Sequence, residues 1–166
     1  DAARESVEIK RHLGFLPDTI SFGGGLTGQA FLDHIARLHG FRGAPPLQHE
    51  VLDRLELSTS ALQRGVKGYS TGMGKKLALV QAMQHDPELL ILDEPTESLD
   101  PLIRQQLFAL FRDLQKRGTT IFMSSHVLAD VEEICQRVAL IREGRVVRFG
   151  PVDDLRVGRE RKMLVT

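Results

Sequence analysis

Hydrophobic residues recur along this chain in two rhythms. Between residues 27 and 83 they return every three or four positions, whereas from residue 88 onward short unbroken apolar runs alternate with such helical stretches. From Thr27, a natural N-cap, Phe31, Ile35 and Leu38 keep helical spacing up to Gly40, which stops the helix. Pro45-Pro46 opens a second helix through Leu55, with Val51, Leu52 and Leu55 as its apolar stripe. Tyr69-Ser70-Thr71-Gly72-Met73 leads into a third, capped by Ser70 or Thr71, in which Met73, Leu77, Val80 and Met83 repeat. Ahead of these, residues 1–11 are polar and helix-compatible. Residues 12–16 predict a short strand stopped by Pro17, with Asp18 at its end, and Ser21-Phe22-Gly23-Gly24-Gly25 predicts a flexible connection.

The second rhythm starts at Leu89-Leu90-Ile91-Leu92. Four large aliphatics in a row between Asp86-Pro87 and Pro95 predict a short strand buried on both faces, since a half-exposed strand would alternate. The run ends in Asp93-Glu94. Asp100-Pro101 is an N-cap and first-turn pair for a helix whose Ile103, Leu107, Leu110, Phe111 and Leu114 share one face before Gly118. Residues 119–123 form a β-branched, apolar strand followed by Ser124-Ser125-His126. Val127, Val131 and Ile134 then point inward from a helix with Asp130, Glu132 and Glu133 near its start. Residues 137–142 and 145–149 predict two strands around a Glu143-Gly144 hairpin turn, with a helical turn at 151–155.

Composition narrows the partners. Lys and Arg (22) balance Asp and Glu (22), so the chain carries no field that would gather nucleic acid, and 5% aromatic content without Trp offers no base-stacking platform. The single Cys135 cannot make an internal disulfide and falls in an apolar helical pattern, which predicts a buried structural thiol in a reduced, cytosolic setting. No apolar run reaches membrane-spanning length, so membrane association would come through a partner. His34 and His39 lie five apart, off any common helix face, and suit the surface or a rim rather than a metal site.

Strand, helix, strand and helix in succession define a parallel α/β pattern, and Asp18, Asp93, Glu94 and His126 each follow a predicted strand. Ligands bind at that edge of open parallel sheets. Taken alone, Asp93-Glu94 suits a metal-binding Asp followed by a water-activating Glu, or a core strand running out into a polar turn. The start of the helix after Ser70 suits a phosphate cradle, because its free amides carry partial positive charge, or an ordinary capped helix. Gly74-Lys75-Lys76 imitates the end of a P-loop, G-x-x-x-x-G-K-[ST]. It fails as one: the position five before Gly74 is Tyr69, Lys76 replaces the hydroxyl residue, and no buried strand precedes it.

Together these segments resemble the nucleotide-binding domain of an ATP-binding cassette (ABC) protein. Ser70-Thr71-Gly72-Met73 stands where that family has its LSGGQ signature, and Leu89 to Glu94 resembles its Walker B motif. Ser98-Leu99-Asp100 resembles its D-loop, His126 its switch histidine, and Gly14-Phe15-Leu16-Pro17-Asp18 the strand entering its Q-loop. The Tyr-Ser-Thr-Gly-Met form is most similar to ATPase subunits of bacterial exporters. The resemblance implies an α/β fold, an incomplete P-loop NTPase (RecA-like) parallel-sheet core with an inserted α-helical subdomain. Its parts would be 1–18 in the core, 19–85 in the helical subdomain, 86–157 in the core again and 158–166 as a tail.

It also implies ATP and Mg²⁺ as ligands and two cassettes that sandwich ATP head to tail. Ser70, Thr71 and the Gly72 amide would face the γ-phosphate held by the second cassette. Asp93, with Asp18, would serve the metal; Glu94 would polarise the attacking water; His126 would bind the γ-phosphate; Asp100 would lie at the dimer interface. The helical subdomain would dock on a transmembrane permease subunit, which places the chain in the cytoplasm, on the inner face of the membrane.

The chain departs from the family at several points. Asp18 stands for the Q-loop Gln, Thr71 for a Gly and Met73 for the signature Gln, while Gly74 costs its helix roughly 1 kcal/mol relative to Ala. No Walker A motif occurs in these residues, so the expectation is a fragment of an exporter ATPase that binds ATP weakly and hydrolyses it negligibly on its own. The alternatives are a degenerate, non-catalytic cassette that acts as a docking or regulatory module, and a cassette ATPase of translation or DNA repair. Intact Glu94 and His126 argue against the first, and neutral charge with an exporter-like signature against the second.

Overall fold

The computed structural model describes residues 6–19, 21–22 and 25–154. Its chain divides into two compact units, Asp1–Ser124 and Ser125–Thr166. The expectations for residues 1–5, most of the glycine connection and the tail at 158–166 lie outside the described residues.

In the first unit, α1 (Ser6–Arg11) leads into β1 (Leu13–Leu16), and β2 (Leu89–Leu92) and β3 (Thr120–Met123) complete a parallel three-stranded sheet in the order β1-β2-β3. Register is fixed: Leu16 pairs with Leu92 and Leu92 with Met123. Between β1 and β2 lie α2 (Gly28–Leu38), α3 (Gln48–Arg54), α4 (Thr59–Leu62), a 3₁₀ turn at Val66–Gly68 and α5 (Thr71–Met83); α6 (Pro101–Lys116) joins β2 to β3. A parallel pair needs such a crossover because its strands must start from the same end.

The three caps expected from the sequence all form. The Thr27 hydroxyl accepts from the Ala30 amide at 3.2 Å, Ser70 from Met73 at 3.2 Å, and the Asp100 carboxylate from Leu102 and Ile103 at 3.1 and 3.0 Å. Each satisfies helix-start amides that have no partner within the helix.

Two expectations are corrected. The α2 stripe is shifted by one residue: Leu32 and Ala36 are buried and Leu38 is 68% exposed. Helix α2 packs against α5 and α4, and a one-residue change rotates the inward face by about 100°. Strand β2 is buried on one face only, with Leu90 and Leu92 inward, Leu89 36% exposed and Ile91 half-buried. Among the described residues the helices cover the Leu90/Leu92 side, where α5 packs on β1 and α6 on β3. The opposite side presents the row Phe15–Ile91–Phe122.

Helix α5 is the hub. It packs against β1, α2 and α3, and its Leu77, Ala78, Leu79, Val80, Ala82 and Met83 are all buried, so it is apolar nearly all round rather than amphipathic. Gly14 makes the close approach of β1 possible: a Cβ there would strike the Ala82 carbonyl of α5 and the Leu90 side chain. The second unit holds α7 (Leu128–Ile134) and an antiparallel pair, β4 (Arg137–Arg142) and β5 (Arg145–Pro151), joined by Glu143 and Gly144, both at positive φ (51° and 72°). In this unit Cys135 is half-buried, which pushes its thiol pKa up.

Candidate functional site

Strand β2 delivers Asp93 and Glu94 to the carboxyl edge of the sheet. The Asp93 amide still bonds the Leu16 carbonyl at 2.9 Å, the last rung toward β1. The next residue leaves the ladder: Glu94 has φ 45°, left-handed for a residue with a Cβ, which costs of the order of 1–2 kcal/mol and is held by its surroundings. Those surroundings are a compact turn. Pro95, Thr96 and Leu99 are buried, the Glu97 amide bonds the Glu94 carbonyl at 3.2 Å, and the Leu99 amide bonds the Thr96 carbonyl at 3.3 Å. Ser98, also at positive φ (62°), ends the turn before the Asp100 cap.

Sequence reasoning missed Ser124. Its hydroxyl donates a hydrogen bond to Asp93 Oδ1 and accepts from the Glu94 amide at 3.1 Å, while its own amide bonds the Leu92 carbonyl at 3.0 Å. A hydroxyl directly after an apolar strand was the available signal. Which acid it meets depends on the β2–β3 register, which no local pattern fixes.

The start of α5 comes close to the same turn. A Cβ on Gly72 would lie 2.9 Å from the Ser98 carbonyl oxygen, so only glycine lets the helix start seat there without a shift. Ser70, Thr71 and Lys75 line a cleft of about 460 Å³ with Asp18, Glu97 and Ser98. Lys75 is 5% exposed and Gly74, Lys75 and Lys76 all lie within α5, which agrees with their rejection as a P-loop. The amide of Ile103 foremost, helped by the nearby Lys76 charge, holds the exposed Asp100 carboxyl below its ordinary range. The structure thus brings Asp93 and Glu94 together through Ser124, and Asp18 to the same cleft as Ser70 and Thr71. His126 belongs to the second unit, exposed, in the turn before α7 where the Val127 amide bonds Ser125 Oγ at 3.0 Å.

Among the described residues no three His, Cys, Asp or Glu side chains gather as a metal cage. Asp93 is exposed, with Oδ1 occupied by Ser124. A single carboxylate of this kind fits Mg²⁺, which keeps several waters and takes its other ligands from phosphate oxygens.

Of the other histidines, His34 is exposed, as expected. His39 stacks on His85, with ring centroids 3.8 Å apart and planes 23° from parallel. His85 Nε2 lies 3.2 Å from the Leu13 carbonyl, and burial foremost, then charge on His39, brings its pKa down to about 4.

A family model described as an AAA domain, putative AbiEii toxin, Type IV TA system, matches residues 44–128, a stretch that holds Ser70, Asp93, Glu94, Ser124 and His126. The matched stretch, half of the chain, is thus an AAA-type domain. The chain is 36% identical over 152 residues to an uncharacterized ABC transporter ATP-binding protein of Synechocystis sp., covering 89% of this chain and 43% of that protein. It is 37% identical over 137 residues to the fluoroquinolones export ATP-binding protein of Mycobacterium tuberculosis, covering 82% and 44%. A solved ATP binding subunit of an ABC transporter superposes with a TM-score of 0.83 at 27% identity, over 96% of this chain and 67% of that one. The chain belongs to the ATP-binding cassette family, and it spans less than half the length of these two curated relatives. Among the described residues no helix is long and apolar enough to cross a membrane.

Proposed function

We propose that these residues supply the hydrolytic half of an ATP site in an exporter-type ABC ATPase. The observation that carries this reading is the carboxyl end of β2, where Asp93 and Glu94 are presented side by side and tied to β3 through Ser124. Glu94, at the strained turn, accepts a proton from the water that attacks the γ-phosphate. Asp93 offers its free oxygen toward Mg²⁺, which when bound neutralises charge on the phosphates. His126, in the turn after β3, keeps the role of candidate switch histidine that the family resemblance implies.

Ser70 and the Thr71 and Gly72 amides at the start of α5 face the phosphate bound by a second cassette, and Asp100 stands at that interface. The β- and γ-phosphate grip is a Walker A loop from outside these residues. Residues 19–85 act as the helical subdomain that docks on a transmembrane permease subunit at the inner face of the membrane. The M. tuberculosis relative's name supports export as the direction.

In the complete transporter, Glu94→Gln lowers ATP turnover by a factor of about 10²–10⁴, the usual contribution of a general base, while ATP binding persists. Steady-state hydrolysis and nucleotide binding measured on the same preparation check this. Wild-type turnover in the variant removes Glu94 from the chemistry and favours the non-catalytic cassette instead.

A further inference from the structure

We infer that Ser124 is a positioning residue for the hydrolytic step, an inference that rests on the catalytic reading of Asp93 and Glu94. Its backbone is pinned, because its amide bonds the Leu92 carbonyl at 3.0 Å at the end of β2. Its hydroxyl, with one hydrogen to give, gives it to Asp93 Oδ1, and a lone pair takes the Glu94 amide at 3.1 Å. One side chain therefore fixes both acids. The bond to Oδ1 biases the orientation of the Asp93 carboxylate and leaves Oδ2 as the oxygen available to a metal.

The second bond matters equally. The Glu94 amide has left the sheet ladder at φ 45°, and Ser124 Oγ gives that amide the partner the ladder no longer provides. Both bonds lie at the protein surface, so water competes for them until the site is covered. Their effect is orientation rather than fold stability. Partners that orient metal-binding carboxylates in this way typically shift metal affinity or activity 10–100-fold when removed.

The test compares Ser124→Ala with Ser124→Thr, which keeps the hydroxyl. In the metal-free chain, hydrogen exchange at the Glu94 amide speeds up in Ser124→Ala and returns toward wild type in Ser124→Thr. In the complete transporter, the Mg²⁺ concentration that half-saturates ATP turnover rises about 10-fold in Ser124→Ala and stays near wild type in Ser124→Thr. Circular dichroism on both variants checks that the fold is retained.

Glu94→Gln is assayed alongside, so that the two readings fail separately. Wild-type turnover in Glu94→Gln defeats the catalytic reading, whereas an inactive Glu94→Gln with an unmoved Mg²⁺ midpoint in Ser124→Ala defeats the role of Ser124. A Ser124→Thr variant as impaired as Ser124→Ala also overturns it, because the hydroxyl is then not the agent.

Discussion

The stacked imidazoles of His39 and His85 make stability depend on pH in a way that can be worked out in advance. His85 has an ordinary pKa of 6.5 once the chain unfolds and about 4 in the fold. Between those values the unfolded chain holds a proton on this ring and the folded chain does not. The contribution is therefore complete above pH 6.5 and is lost as pH falls from 6.5 toward 4. Linkage gives about 2 kcal/mol of lost stability by pH 5, an upper figure because solvent reaches the pair from the half-exposed His39 side.

The comparison is wild type against His85→Gln, whose amide keeps a donor for the Leu13 carbonyl but does not titrate. Urea unfolding at pH 7.5 and pH 5 isolates this group, since the other titrating groups are common to both proteins. With a denaturant slope of about 2 kcal/mol per molar, the wild-type midpoint falls about 1 M further than that of the variant. Parallel midpoints for the two proteins over this range would refute the reasoning.

Two further substitutions separate stability from activity. Gly14→Ala drives a methyl into the Ala82 carbonyl and Leu90, and since that obstacle is partly backbone the expected loss is about 3 kcal/mol, read as a lowered urea midpoint. Gly72→Ala gains about 1 kcal/mol of helix preference against about 1–3 kcal/mol of crowding at Ser98, so the melting temperature moves by only a few degrees. Turnover of the complete transporter, in contrast, falls at least about 10-fold as the Ser98 turn shifts, worth about 1.4 kcal/mol in barrier height; an unchanged rate would detach this contact from catalysis.

What was legible in the sequence was local. Thr27, Ser70 and Asp100 declare helix starts because a cap involves only residues two or three positions apart. Glu143-Gly144 declares its hairpin for the same reason, and the carboxylates at 93 and 94 follow from the end of a short apolar run. What was not legible depended on neighbours distant in the chain. The inward face of α2, Leu32 and Ala36 rather than Phe31 and Leu38, is set by the helices it packs against, α5 and α4. The half-exposed state of β2 reflects the side on which α5 and α6 lie, which four consecutive aliphatics do not encode. In the sequence Ser124 is only a residue after a strand, because its value lies in the register that sets it beside Asp93. His85 gave no periodic sign at all; its partner His39 is 46 residues earlier.

The contact between Gly72 and Ser98 also bears on how this segment can change over generations. Two neighbouring positions at the start of α5 live under opposite rules. Thr71 is exposed, so its side chain projects where many substitutes fit, and a residue other than glycine has settled there. Gly72 faces a carbonyl that leaves no comfortable room for a methyl group. Lineages descended from this sequence can therefore drift at 71 and retune whatever the exposed side chain meets, while 72 stays closed unless the Ser98 turn is rebuilt at the same time.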